Sequence, residues 1–385
     1  MSLFKLLFKN AFRHKLRTSL TVLGITIAIL AFGILRTVVG AWYAGVEASS
    51  ATRLITRNAV SLVFFLPISY KEKIHQVPGV TKVGYSDWFG GIYIEEKNFF
   101  PNFATDAKTA MELFPEFILP EDQKNAFLRD RKGAVVGRKT AERFGWKMGD
   151  LVTLRGTIFP GNWEFVIRGI YRGALKSTDE TQFFLHWDYL NESLKKTAPY
   201  RADKVGWFLV GVTSPEAAAD VAVAIDRLFK NSLAETITET EKAFQLSFIS
   251  MTEAIILVIQ LVSFIVIIII MAVMANTMAM TVRERTGEYA IMKTLGFGGW
   301  HIAGLIFGES LVIAAIGTAF GIALTFPAAK AFGDSLSQFF PIFNVSGRTI
   351  YMDMAAGLIV AVVASALPIW RSIQLRIADG LRQIG

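Results

Sequence analysis

The sequence predicts a membrane α-helical fold. Four transmembrane helices carry an α+β extracytoplasmic domain inserted between the first two. Three observations lead there. Four runs are apolar and long enough to cross the ~30 Å core of a bilayer, which takes ~20 residues of helix. A long segment of mixed pattern, 43–250, separates the first run from the second. Lysine and arginine crowd into one set of the short flanking segments. Composition agrees, since 52% of the 385 residues are hydrophobic and only 19% are charged. The mean hydropathy is +0.42.

Residues 1–18 read as an interfacial helix on the cytoplasmic side. Phe4, Phe8 and Phe12 recur every fourth residue, while Lys5, Lys9, Arg13 and Arg17 recur on the adjoining face. Such a helix can lie in the headgroup layer with its rings buried and its cations on anionic lipid. Residues 19–42 form the first span, with a core at Leu20–Val39 and a single charge, Arg36, near its far end, where the stem can snorkel. A retained anchor is expected rather than a cleaved leader. The apolar run is too long for a leader, and Trp42 and Tyr43 stand where small residues would be needed.

The 43–250 segment, with a stalk at its end, reads as mixed α+β. Strands are expected at Ala59–Leu66, Val80–Ile94, Phe99–Thr105, Gly133–Val136, Phe183–Trp187 and Trp207–Val212. A hairpin is expected from Leu151–Arg155 and Trp163–Tyr171 around Pro160-Gly161-Asn162. Helices are expected at Lys71–Gln76, over 106–130 with breaks near Pro115 and Pro120, at Lys139–Phe144, and after Pro215. Leu233–Thr252 reads as one continuous helix leading into the second span. Asp87, Asp106, Asp150 and Glu180 read as solvated turn carboxylates. Trp88, Phe89, Phe99, Phe100 and Phe103 read as core, or alternatively as an apolar surface for lipid or a hydrophobic partner.

The remaining elements are a second span at 251–281, a loop and helix at 282–301, a third span at 302–329, a short outer loop at 330–351, a fourth span at 352–370 and a tail at 371–385. The third span holds Gly304/Gly308 and Gly317/Gly321, two pairs that allow close helix packing within the chain or across a dimer. It also holds Glu309, ~11 Å of helix rise inward, which needs a partner or a proton. Orientation follows from the positive-inside rule. Lys5, Lys9, Arg13, Lys15 and Arg17 precede the first span; Arg283, Arg285 and Lys293 lie between the second and third; Arg371, Arg376 and Arg382 follow the fourth. Both termini and the 282–301 loop are therefore expected in the cytoplasm. Topology accounts for the basic charge, and no nucleic-acid role is needed.

The chemistry available to the chain is narrow. It has no cysteine, so disulfides, thiol catalysis and Cys-ligated metals are excluded. His14, His75, His186 and His301 are scattered without an HExxH spacing. No catalytic, cofactor-binding or metal residues are assigned. No G-x-x-x-x-G-K-[ST] occurs, and Gly137-Arg138-Lys139-Thr140 lacks its glycine spacing, so nucleotide hydrolysis is not expected from this sequence. The 282–301 segment is the exception to this blankness. Arg283, Glu284, Arg285, Glu288 and Lys293 are too polar for lipid, while Tyr289, Ile291, Met292 and Leu295 give an apolar side, and Gly296 is a good helix stop. A short amphipathic helix of this kind suits docking into a groove on a soluble partner.

Four motifs resemble the MacB/FtsX/LolC-type family of ABC transporter permeases, the type VII class. KNAFRHKLRTSLTVLGITIAI (Lys9–Ile29) resembles the family's basic helix running into its first span. AVVGRKTAERFGWKMGDLVTL (Ala134–Leu154), with HQVPGVTKV (His75–Val83), is similar to the MacB-like periplasmic core domain. VRERTGEYAIMKTLGFGGWHIAGLIFGES (Val282–Ser310) resembles the cytoplasmic loop, and ALPIWRSIQLRIADGLRQIG (Ala366–Gly385) the tail, though with Ala366-Leu367 where glycine is frequent. The resemblance implies the permease subunit of a transporter in the bacterial cytoplasmic (inner) membrane, not itself an enzyme. ATP and magnesium would be bound by a separate ABC ATPase subunit. Arg283, Glu284, Arg285, Thr286, Glu288, Met292, Lys293, Leu295 and Gly296 would form the coupling helix held by that ATPase. Glu309 would make a structural bond near the cytoplasmic side. A second permease copy or paralogue, membrane lipids and a periplasmic adaptor are the further partners implied. The substrate would be a lipoprotein, lipid, peptide or drug of the envelope. The alternative is an FtsX-like signalling subunit that activates a cell-wall hydrolase.

Overall fold

The computed structural model describes residues 3–175, 177–335, 340 and 342–374. Arg376, Arg382 and most of the tail motif lie outside the described residues. The chain divides into two compact units: 1–41 with 252–335 and 343–385, and 42–251 with 336–342. Among the described residues four helices, starting at Lys15, Glu253, Gly299 and Gly347, are long and apolar enough to cross a membrane.

The chain opens with α1 (Leu3–Ala11), a turn, and α2 (Lys15–Ala48). The expected 1–18 helix is thus broken at 12–14, and Lys15–Thr18 already belong to the first span.

In the inserted unit, β1 (Arg53–Asn58), β2 (Leu66–Pro67), α3 (Tyr70–His75), β3 (Val80–Trp88), β4 (Gly91–Ile92) and β5 (Asn102–Thr105) come first. Next are α4 (Ala107–Leu113), β6 (Phe117–Ile118), α5 (Glu121–Arg129), β7 (Gly133–Gly137), α6 (Arg138–Phe144), β8 (Leu151–Gly156) and β9 (Gly161–Gly173). The unit ends with β10 (Phe183–His186), α7 (Trp187–Thr197), β11 (Lys204–Val205), β12 (Trp207–Val212), α8 (Ala218–Leu228), β13 (Thr236–Thr240) and α9 (Glu241–Met251). One sheet runs β13-β1-β12-β3-β5-β10-β7-β9-β8-β4, with β6 added on β9. Its pairs are antiparallel except β10–β5 and β7–β9. Phe89, Phe100, Phe159, Phe165 and Phe183 fill the core with Trp146 and Trp163.

Four expectations are corrected here. Ala59–Leu66 is mostly a loop, with Val60 and Val63 each 79% exposed, because β1 takes the ladder position beside β12. Leu233–Thr252 is no single helix. Thr236, Thr238 and Thr240 alternate with other residues as a strand requires, and Thr238 Oγ1 meets Thr56 Oγ1 across the ladder at 3.0 Å. The helix starts only at Glu241 and is interrupted at Thr252. Asp87 and Glu180 are buried rather than solvated. Trp187 Nε1 donates to Asp87 at 3.0 Å, and Glu180 accepts from Arg138 at 2.7 Å. Phe89 and Phe100 are core, whereas Trp88 and Phe99 stack on each other at the surface. Asp106 caps α4, and Asp150 accepts from the Lys147 backbone in a turn.

The first unit is completed by α10 (Glu253–Glu284), α11 (Thr286–Thr294), α12 (Gly299–Ser335) and α13 (Gly347–Gln374). The first, third and fourth spans run past both expected limits and the second past its far end, at Glu284, since polar flanking turns continue the helix. The Gly317/Gly321 pair packs inside the chain. A Cβ on either glycine would stand 2.7 Å from Ile25 or Ile29 of α2. Gly308 abuts Leu7 of α1, whereas Gly304 has nothing within 4 Å. Hence α1 lies along α12, with Phe8 exposed and Ala11 buried.

Candidate coupling site

Between α10 and α12 the chain must turn twice, and local chemistry sets both turns. Thr286 Oγ1 donates to the Arg283 carbonyl at 2.8 Å, and Gly287 follows. Back-bonding threonine and glycine both weaken a continuing helix. The short helix expected within 282–301 therefore starts only at Thr286, its first residues being the end of α10, and the two helices join at Arg285. The second ends in a Schellman cap: Phe297 N–H donates to Met292 O at 3.0 Å and Gly296 N–H to Lys293 O at 3.1 Å. Gly296 adopts φ +88, which a side chain would strain.

Arg285, at the joint, is 8% exposed. Its guanidinium meets Glu288 at 3.0 Å and also pairs with Glu309. Its cation lies 5.3 Å from the Tyr289 ring centre. Glu309 thus has the partner its depth demanded, and α10, α11 and α12 are tied through one cation. A second layer binds this joint to the N-terminal helices. Arg17 pairs with Glu284 through two bonds of 2.7 and 2.8 Å, and His14 lies 3.5 Å from the same carboxylate. Arg13 pairs with Glu288. Burial opposes ionisation of Glu288, but hydrogen bonds from Arg13 and Arg285 outweigh it and hold the carboxyl below its usual range.

Lys293 donates to the carbonyls of Ser372 and Ile373 at 3.1 and 2.9 Å, so α13 is tied to α11 too. Met292 packs half-buried against the bundle core. Arg283 is exposed and takes no part in this network. Leu295 is 72% exposed. Beside it Ile291, Phe297 and Trp300 are also exposed, so the end of α11 presents an apolar patch. Arg36 lies half-buried on α2, away from these residues, with no carboxylate paired to it among the described residues.

Three contributions were not read from the sequence. Arg13 and Arg17 act as ion-pair partners and not only as a basic flank. Their spacing of four matches that of Glu284 and Glu288, which was the available signal. Phe297 and Trp300 extend the apolar patch. Asp353 is fully buried in α13. It lies near Thr325 and Gly33, with both carboxylate oxygens unpartnered. Among the described residues no group of three or more His, Cys, Asp or Glu could hold a metal ion.

Comparison with known proteins adds the following. A family model described as MacB-like periplasmic core domain matches residues 18–228. Another, described as FtsX-like permease C-terminal, matches residues 260–377. No curated protein matches the chain. The periplasmic region of MacB from Actinobacillus actinomycetemcomitans aligns at 8% identity and TM-score 0.38, over 53% of this chain and 95% of that one. The extracellular domain of the noncanonic ABC-type transporter YknZ from Gram-positive bacteria aligns at 13% and 0.36, over 49% and 98%. A domain of a putative permease from Porphyromonas gingivalis aligns at 14% and 0.32, over 49% and 90%.

Proposed function

This chain belongs to the MacB-like and FtsX-like family of ABC transporter permeases, whose ATPase is a separate subunit, and from that premise we propose that it couples ATP hydrolysis to movement of its inserted domain. In this reading α11 is the coupling helix, on the cytoplasmic side of a bacterial inner membrane, with both termini on that side. The inserted domain is periplasmic and handles an envelope substrate, a lipoprotein, lipid, peptide or drug. A second permease copy or paralogue completes the assembly, and a periplasmic adaptor could receive the cargo. ATP and magnesium belong to the ATPase.

The observation that carries this reading is that α11 is fastened to its neighbours and followed by exposed apolar residues. Arg285, Glu288 and Lys293 tie it to the other helices of its unit. Just past its end Leu295 and Phe297 are exposed, as is Trp300 at the start of α12. A helix fixed to the spans and apolar where it meets solvent can take a push and pass it on. Arg283, Glu284, Thr286, Met292 and Gly296 set its start, packing and stop.

Reconstitution with the ATPase tests the fastening and the apolar end separately. Leu295→Ala with Trp300→Ala should release the ATPase in pull-downs, losing at least ~10-fold in affinity, as loss of an aromatic anchor does. Glu288→Lys should keep the ATPase bound and the protein inserted while abolishing stimulated hydrolysis. If both variants hydrolyse ATP normally, the coupling assignment fails. The match to the MacB-like core domain favours transport over hydrolase activation. Recovery of a cell-wall hydrolase, with neither adaptor nor cargo, would reverse that preference.

A further inference from the structure

The bundle opens into a cavity of about 510 Å³ between α10, α11 and α13. Asn276, Arg283 and Arg371 line it together with Met280 and Pro368, and no carboxylate lines it among the described residues. Neither arginine forms an ion pair among the described residues. Two further lining residues, Tyr289 and Ser372, are 1% and 3% exposed, and their hydroxyls are buried without a hydrogen-bond partner. Such hydroxyls cost stability unless something supplies the missing bond.

The depth of the cavity matters as much as its lining. Helix α10 carries no charge from Ala254 to Val282, and α13 none from Met354 to Trp370. Both then turn basic, at Arg283 and Arg371, and the cavity lies at that change. In a bilayer that is the level of the headgroups. Two guanidiniums lining it there, with hydroxyl and amide donors and no acid among the described residues, match a phosphate's oxygens.

We propose that this cavity binds the headgroup of an anionic phospholipid from the leaflet on the α11 side. The phosphate accepts hydrogen bonds from Arg283 and Arg371, and its remaining oxygens reach Tyr289 and Ser372 as the helices adjust. The acyl chains run along Met280 and Pro368. Because Tyr289 belongs to α11, an occupied site also braces that helix. The inference rests on the four helices being membrane spans and is independent of the ATPase partnership, and its test needs no ATPase.

The test is native mass spectrometry of the full chain, purified in neutral detergent, with phosphatidylglycerol, phosphatidylcholine or inorganic phosphate added. One phosphatidylglycerol should be retained per chain, with at least ~10-fold less phosphatidylcholine. Arg283→Gln with Arg371→Gln should cut that retention by at least ~10-fold, and the corresponding lysine pair should keep most of it. Lys9→Gln with Lys15→Gln should retain the lipid, which separates the cavity from the basic N-terminus. If the glutamine pair melts lower than the parent, Arg371→Gln alone gives the reading. Equal retention of both lipids, or retention unchanged in the glutamine variants, overturns the proposal. Full displacement of the lipid by millimolar inorganic phosphate would mark an ion site and overturn it as well.

Discussion

A guanidinium that is 8% exposed and answers to both Glu288 and Glu309 is a costly group to strand. Taking away one member of a buried pair leaves the other desolvated and uncompensated, at ~3–5 kcal/mol, whereas replacing both with apolar residues is often neutral. Glu309→Leu should therefore melt well below the parent in detergent, and Arg285→Met with Glu309→Leu should recover most of the loss. Equal melting of single and double variants would mean that the pair contributes little. In the inserted unit, Asp87 sets a different expectation. Burial pushes its carboxyl up to about 7, against the hydrogen bond from Trp187 that favours the charged form. The native state thus holds this proton between its unfolded value near 3.8 and about 7, while the unfolded chain has released it. Stability contributed by Asp87 is full below that window and declines as pH rises through it. Melting of the unit should fall with pH over this range, and Asp87→Asn should flatten the slope.

Elements obey the same logic through their shapes. Gly317 and Gly321 admit Ile25 and Ile29, so Gly317→Leu should overpack the α2–α12 contact and cost ~1–3 kcal/mol. Gly304→Leu, with nothing within 4 Å, should stay within ~0.5 kcal/mol by thermal melting of the isolated chain. The four spans were plain in the sequence because each keeps one polarity for the length of a bilayer. The hairpin β8–β9 and the stop of α6 at Gly145 were equally plain, since turn residues fix them locally. The strand β13 was hidden, because five residues beside a helical run carry a weak period and only the ladder with β1 decides their state. The same cause misassigned 59–66, where apolar residues lacked a partner. At the candidate site, polarity marked the segment, but the pairing of Arg13 and Arg17 with Glu288 and Glu284 is a contact across some 270 positions, beyond any local pattern.

At the scale of the molecule, the distribution of lysine and arginine predicts one orientation, and the absence of cysteine makes that easy to check. Asp122→Cys should react with an impermeant maleimide added to cells whose outer membrane has been opened. Thr294→Cys should react only once the cytoplasmic membrane is breached. The opposite pattern would invert the topology and take the coupling assignment with it. The sheet has a consequence of a different kind. Its last strand in sequence, β13, sits at the rim and pairs only with β1, the first. In the proposed orientation, while the chain is being threaded outward, ten of the eleven strands can find a neighbour before β13 follows. In that orientation the rim closes only once residues 236–240 have crossed, just ahead of the second span. Completion of this lobe would then wait on the segment that next enters the membrane.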